Sequence, residues 1–142
     1  MTAKKVQVSI TKAKRKTAIA RARVKKGTGD IRINSKPLAA YGNEFAREEI
    51  ISPLAIGEGV LGKNFLDTLD IDVLVNGGGF MGQAEAAKTA IAKALVDWTE
   101  SEELKKAYLD MDRHLLVDDV RRRESKKPLG RGARKKHQKS YR

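Results

Sequence analysis

Residues 69–98, LDIDVLVNGGGFMGQAEAAKTAIAKALVDW, contain the strand, turn and helix that decide the fold. From Leu69 to Val75 every second side chain is apolar, which predicts a half-buried β-strand that stops at Asn76. Three glycines follow, and apolar residues then recur at helical spacing from Phe80 to Trp98. Because most of these apolar residues are alanines, we expect the helix to lie close against a sheet.

Further alternating stretches upstream predict the rest of that sheet. Val6, Val8 and Ile10 are predicted to form the buried face of one strand. In residues 14–26 the even positions from 18 to 24 are small and apolar, so they are predicted to be buried and the cations to face solvent. Residues 31–33 follow a glycine-containing turn and are predicted to add a third antiparallel strand, in a hairpin or meander.

Two capping residues predict the other helices. Asn43 is expected to cap a helix over residues 44–51, which Pro53 ends because proline disfavours a helical residue before it. Ser101 is expected to cap a second helix. Its predicted buried stripe consists of Leu104, Ala107, Tyr108 and Met111. A weaker helical segment is predicted over residues 115–122. This order of strands and helices predicts an α+β fold.

The charge is divided unevenly along the chain. Residues 1–26 have a formal charge of +10, residues 27–120 of −8, and residues 121–142 of +10. The last segment contains eleven lysines and arginines and too few apolar residues to fold alone, so we expect an extended tail that reaches on the order of 70 Å. Two basic ends around an acidic middle indicate a polyanionic partner rather than a membrane.

The absence of cysteine and of a long apolar segment favours a cytoplasmic protein without disulfides or a membrane anchor. His114 and His137 lack further metal ligands at suitable spacing, and no nucleophile motif is present. We therefore predict no metal site, no cofactor, no small-molecule substrate and no enzymatic activity. The carboxylate pairs Asp70 with Asp72 and Asp118 with Asp119 are predicted to be solvated or to pair with basic residues.

The basic strand is the first candidate binding site. On a strand, alternate side chains lie about 7 Å apart, close to the spacing of phosphates along a nucleic-acid strand. No acidic residue interrupts this stretch of sequence, so we predict nucleic-acid binding, with a merely solvated face as the alternative. The basic residues of the site are Lys14, Arg15, Lys16, Arg21, Arg23 and Lys25.

The glycine turn is the second candidate. Gly77-x-Gly79-x-x-Gly82 formally matches a dinucleotide-binding fingerprint, but the required second parallel strand is not predicted after the helix. A nucleic-acid phosphate at the helix start, or a tight turn alone, remain as interpretations. The segment from Gly57 to Asn64 is similar to a phosphate-binding loop but lacks the hydroxyl that would bind magnesium, so it is read as a flexible loop. Its Gly59–Gly62 spacing is also that of a KH-domain clamp, without that fold's flanking helices.

Residues 77–95, GGGFMGQAEAAKTAIAKAL, resemble the signature of the universal ribosomal protein S9 family of the small subunit. The basic strand KRKTAIARA at residues 14–22 and the ending KSYR at residues 139–142 agree with this resemblance. With a tyrosine before the last arginine, this ending resembles that of the archaeal and eukaryotic branch of the family.

The resemblance implies a four-stranded sheet backed by helices, like the second domain of ribosomal protein S5, with a left-handed crossover. It implies a globular body over residues 1–120 and an extended basic tail over residues 121–142. It also implies a place in the head of the small subunit, with ribosomal RNA, neighbouring head proteins and peptidyl-site transfer RNA as partners. A free histone-like nucleic-acid-binding protein and a nucleotide-dependent enzyme are the alternatives.

Two sets of residues follow as predicted contacts. The tip of the tail is expected to contact the anticodon stem-loop of transfer RNA through Lys139, Ser140, Tyr141 and Arg142. Besides the basic strand, the predicted contacts to ribosomal RNA are Gly77, Gly78, Gly79, Gln83, Arg121, Arg122, Arg123, Lys126, Lys127, Arg131, Arg134, Lys135 and Lys136.

Overall fold

The computed structural model describes residues 7–135 and 139–141. Within these residues a mixed sheet packs against helices, which confirms the α+β class. The strands are β1 (Val8–Arg15), β2 (Ala18–Lys26), β3 (Ile31–Ile33), β4 (Lys36–Pro37) and β5 (Leu69–Asn76). The helices are α1 (Glu44–Leu61), α2 (Phe80–Thr99) and α3 (Glu102–Met111), with short 3-10 turns at Leu38–Ala40, Leu66–Thr68 and Arg113–Leu115.

The sheet has the strand order β1-β2-β5-β3-β4. β5 lies between β2 and β3, antiparallel to the former and parallel to the latter. The predicted meander is therefore wrong beyond the β1–β2 hairpin, because β3 pairs with β5 and not with β2. The sheet also has five strands rather than four. The additional strand, β4, is two residues long and too short to show periodicity.

β1 buries the face that was predicted to be exposed to solvent. Val8 and Ile10 are exposed, whereas Ser9 and Ala13 are buried under α2. The helix satisfies the polar groups of this face, since Thr11 donates to the Ala90 carbonyl at 2.8 Å. Small side chains permit the close approach of α2, which two bulky aliphatic residues would prevent. Val6 lies outside the described residues.

The core lies between the sheet and α2. Ala18, Ala20, Ala22 and Val24 of β2 are buried as predicted, and so are the alternate residues of β5. α2 buries its alanines together with Ile91 and Leu95. Phe80 is predicted to belong to this stripe, but it is the first residue of α2 and is 60% exposed.

Helix α1 continues through Pro53, so the prediction that proline ends it is wrong. The same helix includes Gly57, which was read as part of a flexible loop. Packing outweighs both local preferences: Pro53 and Gly57 are buried, and the Tyr108 hydroxyl of α3 donates to the Pro53 carbonyl at 2.8 Å. A side chain at Gly57 would approach this hydroxyl. Burial also raises the pKa of Tyr108.

Helix α3 begins after its predicted cap, where the Ser101 hydroxyl accepts from the Leu104 amide at 3.3 Å. Met111 is exposed, contrary to prediction, because α3 buries only one narrow side. Residues 115–122 form no α-helix. A single 3-10 turn, Arg113–Leu115, precedes an irregular segment whose acidic side chains bind the body.

The described tail residues, 121–135 and 139–141, form no helix or strand and are mostly exposed. One turn closes where the Gly130 amide donates to the Lys127 carbonyl, and Arg134 pairs with Glu124 at 2.9 Å. The division into a body and a tail at residue 120 stays a prediction. No helix in the described part of the chain is long and apolar enough to cross a membrane.

Candidate nucleic-acid interface

The glycine turn between β5 and α2 packs directly on the turn between β1 and β2. Gly77 and Gly78 have φ angles of +73° and +69°, which side chains rarely adopt. A Cβ atom on Gly77 would lie 2.7 Å from the Thr17 carbonyl oxygen, and one on Gly78 would lie 2.9 Å from the Ala18 Cβ. The fold itself therefore requires these two glycines.

Gly79 differs from its two neighbours. It is the N-cap of α2, has a negative φ, and a Cβ atom there would meet nothing within 4 Å. No side chain caps this helix start, so its first backbone N–H groups can attract an anion. Lys16 lines the same shallow cavity of about 290 Å³, together with Gly79 and Gly82.

Gln83 links the glycine turn to Tyr41. Its amide nitrogen donates to the Gly77 carbonyl at 3.1 Å, and its amide oxygen accepts from the Tyr41 hydroxyl at 3.3 Å. Both ends of the side chain are thus engaged within the protein. A contact of Gln83 with RNA stays a prediction, and it would require these bonds to be shared or broken.

The face of the sheet that α2 does not cover is the outer face. Arg21 and Arg23 of β2 are exposed on it, as the alternation predicted, and Lys25 lies farther along the same strand. Lys14 of β1 is exposed on this face, and Lys16 is exposed in the turn that follows. The structure thus brings cations of different strands onto one surface.

Acidic residues interrupt this surface, although none interrupts the sequence of the basic strand. β5 lies beside β2, so Asp72 pairs with Arg23 at 2.6 Å and Asp70 pairs with Lys25 at 3.3 Å. A hydrogen bond from the Thr28 amide is the main cause that lowers the pKa of Asp70. Both aspartates are therefore partners of basic residues. Within the described residues Arg21 has no acidic partner within 4.0 Å.

Arg15 does not belong to the outer face, contrary to prediction. It pairs in register with Ala18, so its side chain lies on the helix side of the sheet, where its Nε binds Glu85. Its Nη1 lies 3.0 Å from an Asp119 oxygen. This arginine therefore links β1 to α2 and to the segment that leads into the tail.

Asp119 holds the first residue of the tail as well. Its carboxylate accepts from the Arg121 side chain at 2.6 Å and from the Arg121 amide at 2.9 Å. These two hydrogen bonds, together with the charges of Arg121 and Arg15, hold the pKa of Asp119 far below its usual range. We call Arg15, Glu85, Asp119 and Arg121 the tail-root cluster.

Two further contacts fix the segment before the tail against α2. Asp118 pairs with Lys93 at 2.5 Å, and the Thr89 hydroxyl donates to the His114 carbonyl at 3.0 Å. The predicted carboxylate pair Asp118 and Asp119 thus binds basic residues on neighbouring elements. As a result the tail leaves the body from a defined position.

Beyond Arg121 the predicted contacts of the tail lie in an exposed segment. The exposed basic residues there are Arg122, Arg123, Lys126, Lys127, Arg131, Arg134 and Lys135. Lys139, Ser140 and Tyr141 are exposed too, whereas Lys136 and Arg142 lie outside the described residues. Their predicted contacts with RNA stay predictions.

Sequence reasoning missed several residues of the outer face. Arg32 of β3 is in register with Asp72, so it lies on this face through a pairing that only the topology reveals. Ile10 and Leu74 are 69% and 63% exposed there. The apolar alternation in β1 suggested burial for Ile10, and Leu74 could have been found as the one apolar residue on the polar face of β5.

Comparison with known proteins gives consistent matches over nearly the whole chain. A family model described as ribosomal protein S9/S16 matches residues 13–142. The small ribosomal subunit protein uS9 of Halobacterium salinarum is 49% identical over 135 residues, which cover 95% of this chain and 99% of that protein. The protein of the same name from Methanothrix thermoacetophila is 45% identical over 137 residues, covering 96% and 100% of the two chains.

Proposed function

The chain belongs to the ribosomal protein S9/S16 family, and on this premise we propose that it binds ribosomal RNA in the head of the small subunit and contacts peptidyl-site transfer RNA with its tail. As a member of this family it is a structural protein of the small ribosomal subunit and not an enzyme. It therefore acts in translation, on the cytoplasmic ribosome. The RNA contacts are the part that needs an argument from this chain's own residues.

The tail-root cluster is the observation that carries the proposal. An unanchored basic tail would reach polyanions in any direction, and this would suit a free histone-like protein. Here Asp119 binds Arg15 of the body and Arg121 of the tail at once, so the tail starts from a fixed point. A directed tail is useful where the partner's position is also fixed, as it is inside an assembled particle.

The body offers RNA two kinds of contact. Arg21 is exposed and free of acidic partners in the described part of the chain, so it can meet a phosphate without losing an internal ion pair. Lys16 and the uncapped start of α2 after Gly79 offer an ammonium group beside backbone N–H groups. Phosphate contacts of this type fix the orientation of a protein on RNA without reading its sequence.

The tip of the tail is the proposed contact to transfer RNA. Lys139, Ser140 and Tyr141 are exposed, and the family resemblance adds Arg142 as the terminal contact. A guanidinium group can form paired hydrogen bonds with a phosphate, which an ammonium group cannot. Because phosphates are common to every transfer RNA, such a contact suits a site that must accept all of them.

The proposed relation to the second domain of ribosomal protein S5 concerns the β3–α1–β5 connection. These two parallel strands are joined through α1, so this is the crossover to which handedness applies. We expect a left-handed crossover, against the general right-handed preference. An experimental structure within the subunit tests this expectation directly.

Co-sedimentation separates the ribosomal proposal from the histone-like alternative. The full chain is added to small subunits that lack it, and the particles are sedimented through buffer of high ionic strength. Retention on small subunits at a salt concentration that removes the chain from duplex DNA supports the proposal. Equal loss from both, or preferential retention on DNA, would contradict it.

A further inference from the structure

We propose that the outer face of the sheet contains a binding groove for one unpaired nucleobase of RNA. This inference rests on the proposed function and deepens it, since it names a ligand for the face other than phosphate. The groove has a volume of about 370 Å³. Its side chains are Ile10, Arg21, Arg23, Arg32, Ser35, Asp72 and Leu74.

The apolar part of the groove comes from Ile10 and Leu74, which are 69% and 63% exposed. The strand register sets them beside arginines: Ile10 pairs with Arg23, and Leu74 pairs with Arg21. Strand β2 lies between these two residues, but both line the same groove, and exposed large aliphatic side chains at a groove on an otherwise charged surface favour a binding site. A row of cations adapted to phosphates alone would not need them.

The arginines of the groove fall into two kinds. Arg23 is held by Asp72 at 2.6 Å, and Arg32 is held by Asp30 at 2.8 Å. These ion pairs reduce the net charge offered to a phosphate, but both arginine side chains stay more than half exposed, and guanidinium planes stack well on bases. Arg21 has no such partner within the described residues and stays available for a phosphate next to the base.

A nucleobase matches this combination of groups. It has two flat apolar faces for the aliphatic side chains and the guanidinium planes, and a polar edge that Asp72 and Ser35 at the groove can reach by hydrogen bonds. In an A-form helix the base faces are stacked and inaccessible, so the base must be unpaired. The surplus of arginine over aspartate in the groove favours RNA over an uncharged or basic peptide.

Binding of two single-stranded oligoribonucleotides of equal length tests the proposal. One carries all its bases, and the other has abasic sites at its central positions, so the phosphates are the same. We expect the full chain to bind the first about 5- to 150-fold more tightly, the range for stacking one base. Leu74→Ser and Ile10→Ser should each reduce this ratio severalfold and leave the affinity for the abasic strand unchanged.

Two variants serve as matched controls for the same ratio. Val120→Ser alters an apolar residue that is 86% exposed but lies outside the sheet. Phe80→Leu removes an exposed aromatic ring that could itself stack on a base. The ratio should persist in both variants. The urea midpoint of each serine variant should stay close to that of the wild type, and using two groove variants protects the test against one that fails to fold.

Each contrary result points to a different failure. An equal affinity of the wild type for both oligonucleotides overturns the nucleobase groove while leaving phosphate binding, and with it the proposed function, intact. A ratio that persists in both groove variants places base stacking elsewhere and also overturns the proposal. Failure to bind either RNA contradicts the proposed function itself. A photocross-linker at position 74 that labels a ribosomal protein instead of RNA would assign the groove to a protein partner.

Discussion

Alanine at Gly77 should destabilise the protein strongly, whereas alanine at Gly79 should not. Gly77 has a φ of +73°, where an alanine costs about 1–2 kcal/mol. Its Cβ would also lie 2.7 Å from the Thr17 carbonyl, a backbone atom that cannot move without shifting the β1–β2 turn. An overpacked contact of this kind costs about 1–3 kcal/mol. The two contributions give about 2–5 kcal/mol, a large part of the 5–15 kcal/mol that stabilise a typical domain.

The assay is urea unfolding of the full chain, followed by far-ultraviolet circular dichroism. With a slope of about 2 kcal/mol per molar urea, the midpoint of Gly77→Ala should fall by about 1–2.5 M. Gly79→Ala adds a Cβ in open space and changes only the N-cap, so its unfolding free energy should stay within about 1 kcal/mol of wild type. A midpoint for Gly77→Ala near wild type, or an equal loss in both variants, would refute the assignment of separate roles to the glycines.

Three further predictions concern single side chains. The pKa of Asp119 is lowered in the folded chain, so its ionised form stabilises the fold at pH values above about 4, where an unfolded aspartate is ionised too. This contribution is lost as the pH falls further. Asp119→Asn should therefore weaken the acid sensitivity of the unfolding midpoint, and an unchanged pH profile would contradict this. Tyr108→Phe removes the hydrogen bond to Pro53 and should lower the free energy of unfolding by about 1 kcal/mol in the same urea assay. An unchanged free energy of unfolding would argue against this hydrogen bond. Arg21→Gln should weaken binding to RNA without changing stability, because this exposed side chain has no acidic partner in the described structure, and a markedly lowered midpoint would oppose it. Arg23→Gln also leaves the Asp72 carboxylate unpaired, and this carboxylate repels phosphate, so the loss of RNA affinity should be at least as large.

The strand and helix around the glycine turn could be predicted because their periodicity is strong and local. The alternation in β5 runs from Leu69 to Val75, and the alanine stripe of α2 repeats over most of a long helix. Both elements obey the pattern because one face of each is buried. The glycine run between them was recognisable as a turn, but its different roles at Gly77 and Gly79 depend on contacts with the β1–β2 turn.

The orientation of β1 could not be predicted from its own alternation. A strand that alternates bulky and small residues can bury either set, and the choice depends on what covers it. Here α2 comes close, so the small Ser9 and Ala13 lie inward and Ile10 outward. The Ser9 hydroxyl satisfies its hydrogen-bonding requirement by donating to Asp97 at 2.5 Å, a residue 88 positions away.

The same long-range pairing limited the prediction of the binding face. The basic stretch contains no acidic residue, yet β5 brings Asp70 and Asp72 beside it. Arg15 looked equivalent to Arg21 in sequence but lies on the opposite face, because the two-residue turn pairs Arg15 with Ala18, so odd positions of β1 share a face with even positions of β2. Pro53 likewise continues a helix because α3 packs over it. Each of these outcomes depends on a neighbour that is distant in sequence.

The dissociation rate of peptidyl-site transfer RNA from small subunits tests the central claim most directly. Subunits containing the chain without residues 139–142 are compared with subunits in which Lys126 and Lys127 are replaced by glutamine, which alters the tail's charge but keeps its tip. If the tip binds a transfer-RNA phosphate, the truncation should speed dissociation by about tenfold or more, because one charge-assisted contact is lost. The glutamine variant should speed dissociation much less. An unchanged rate in truncated subunits that retain the chain at full occupancy would contradict the account.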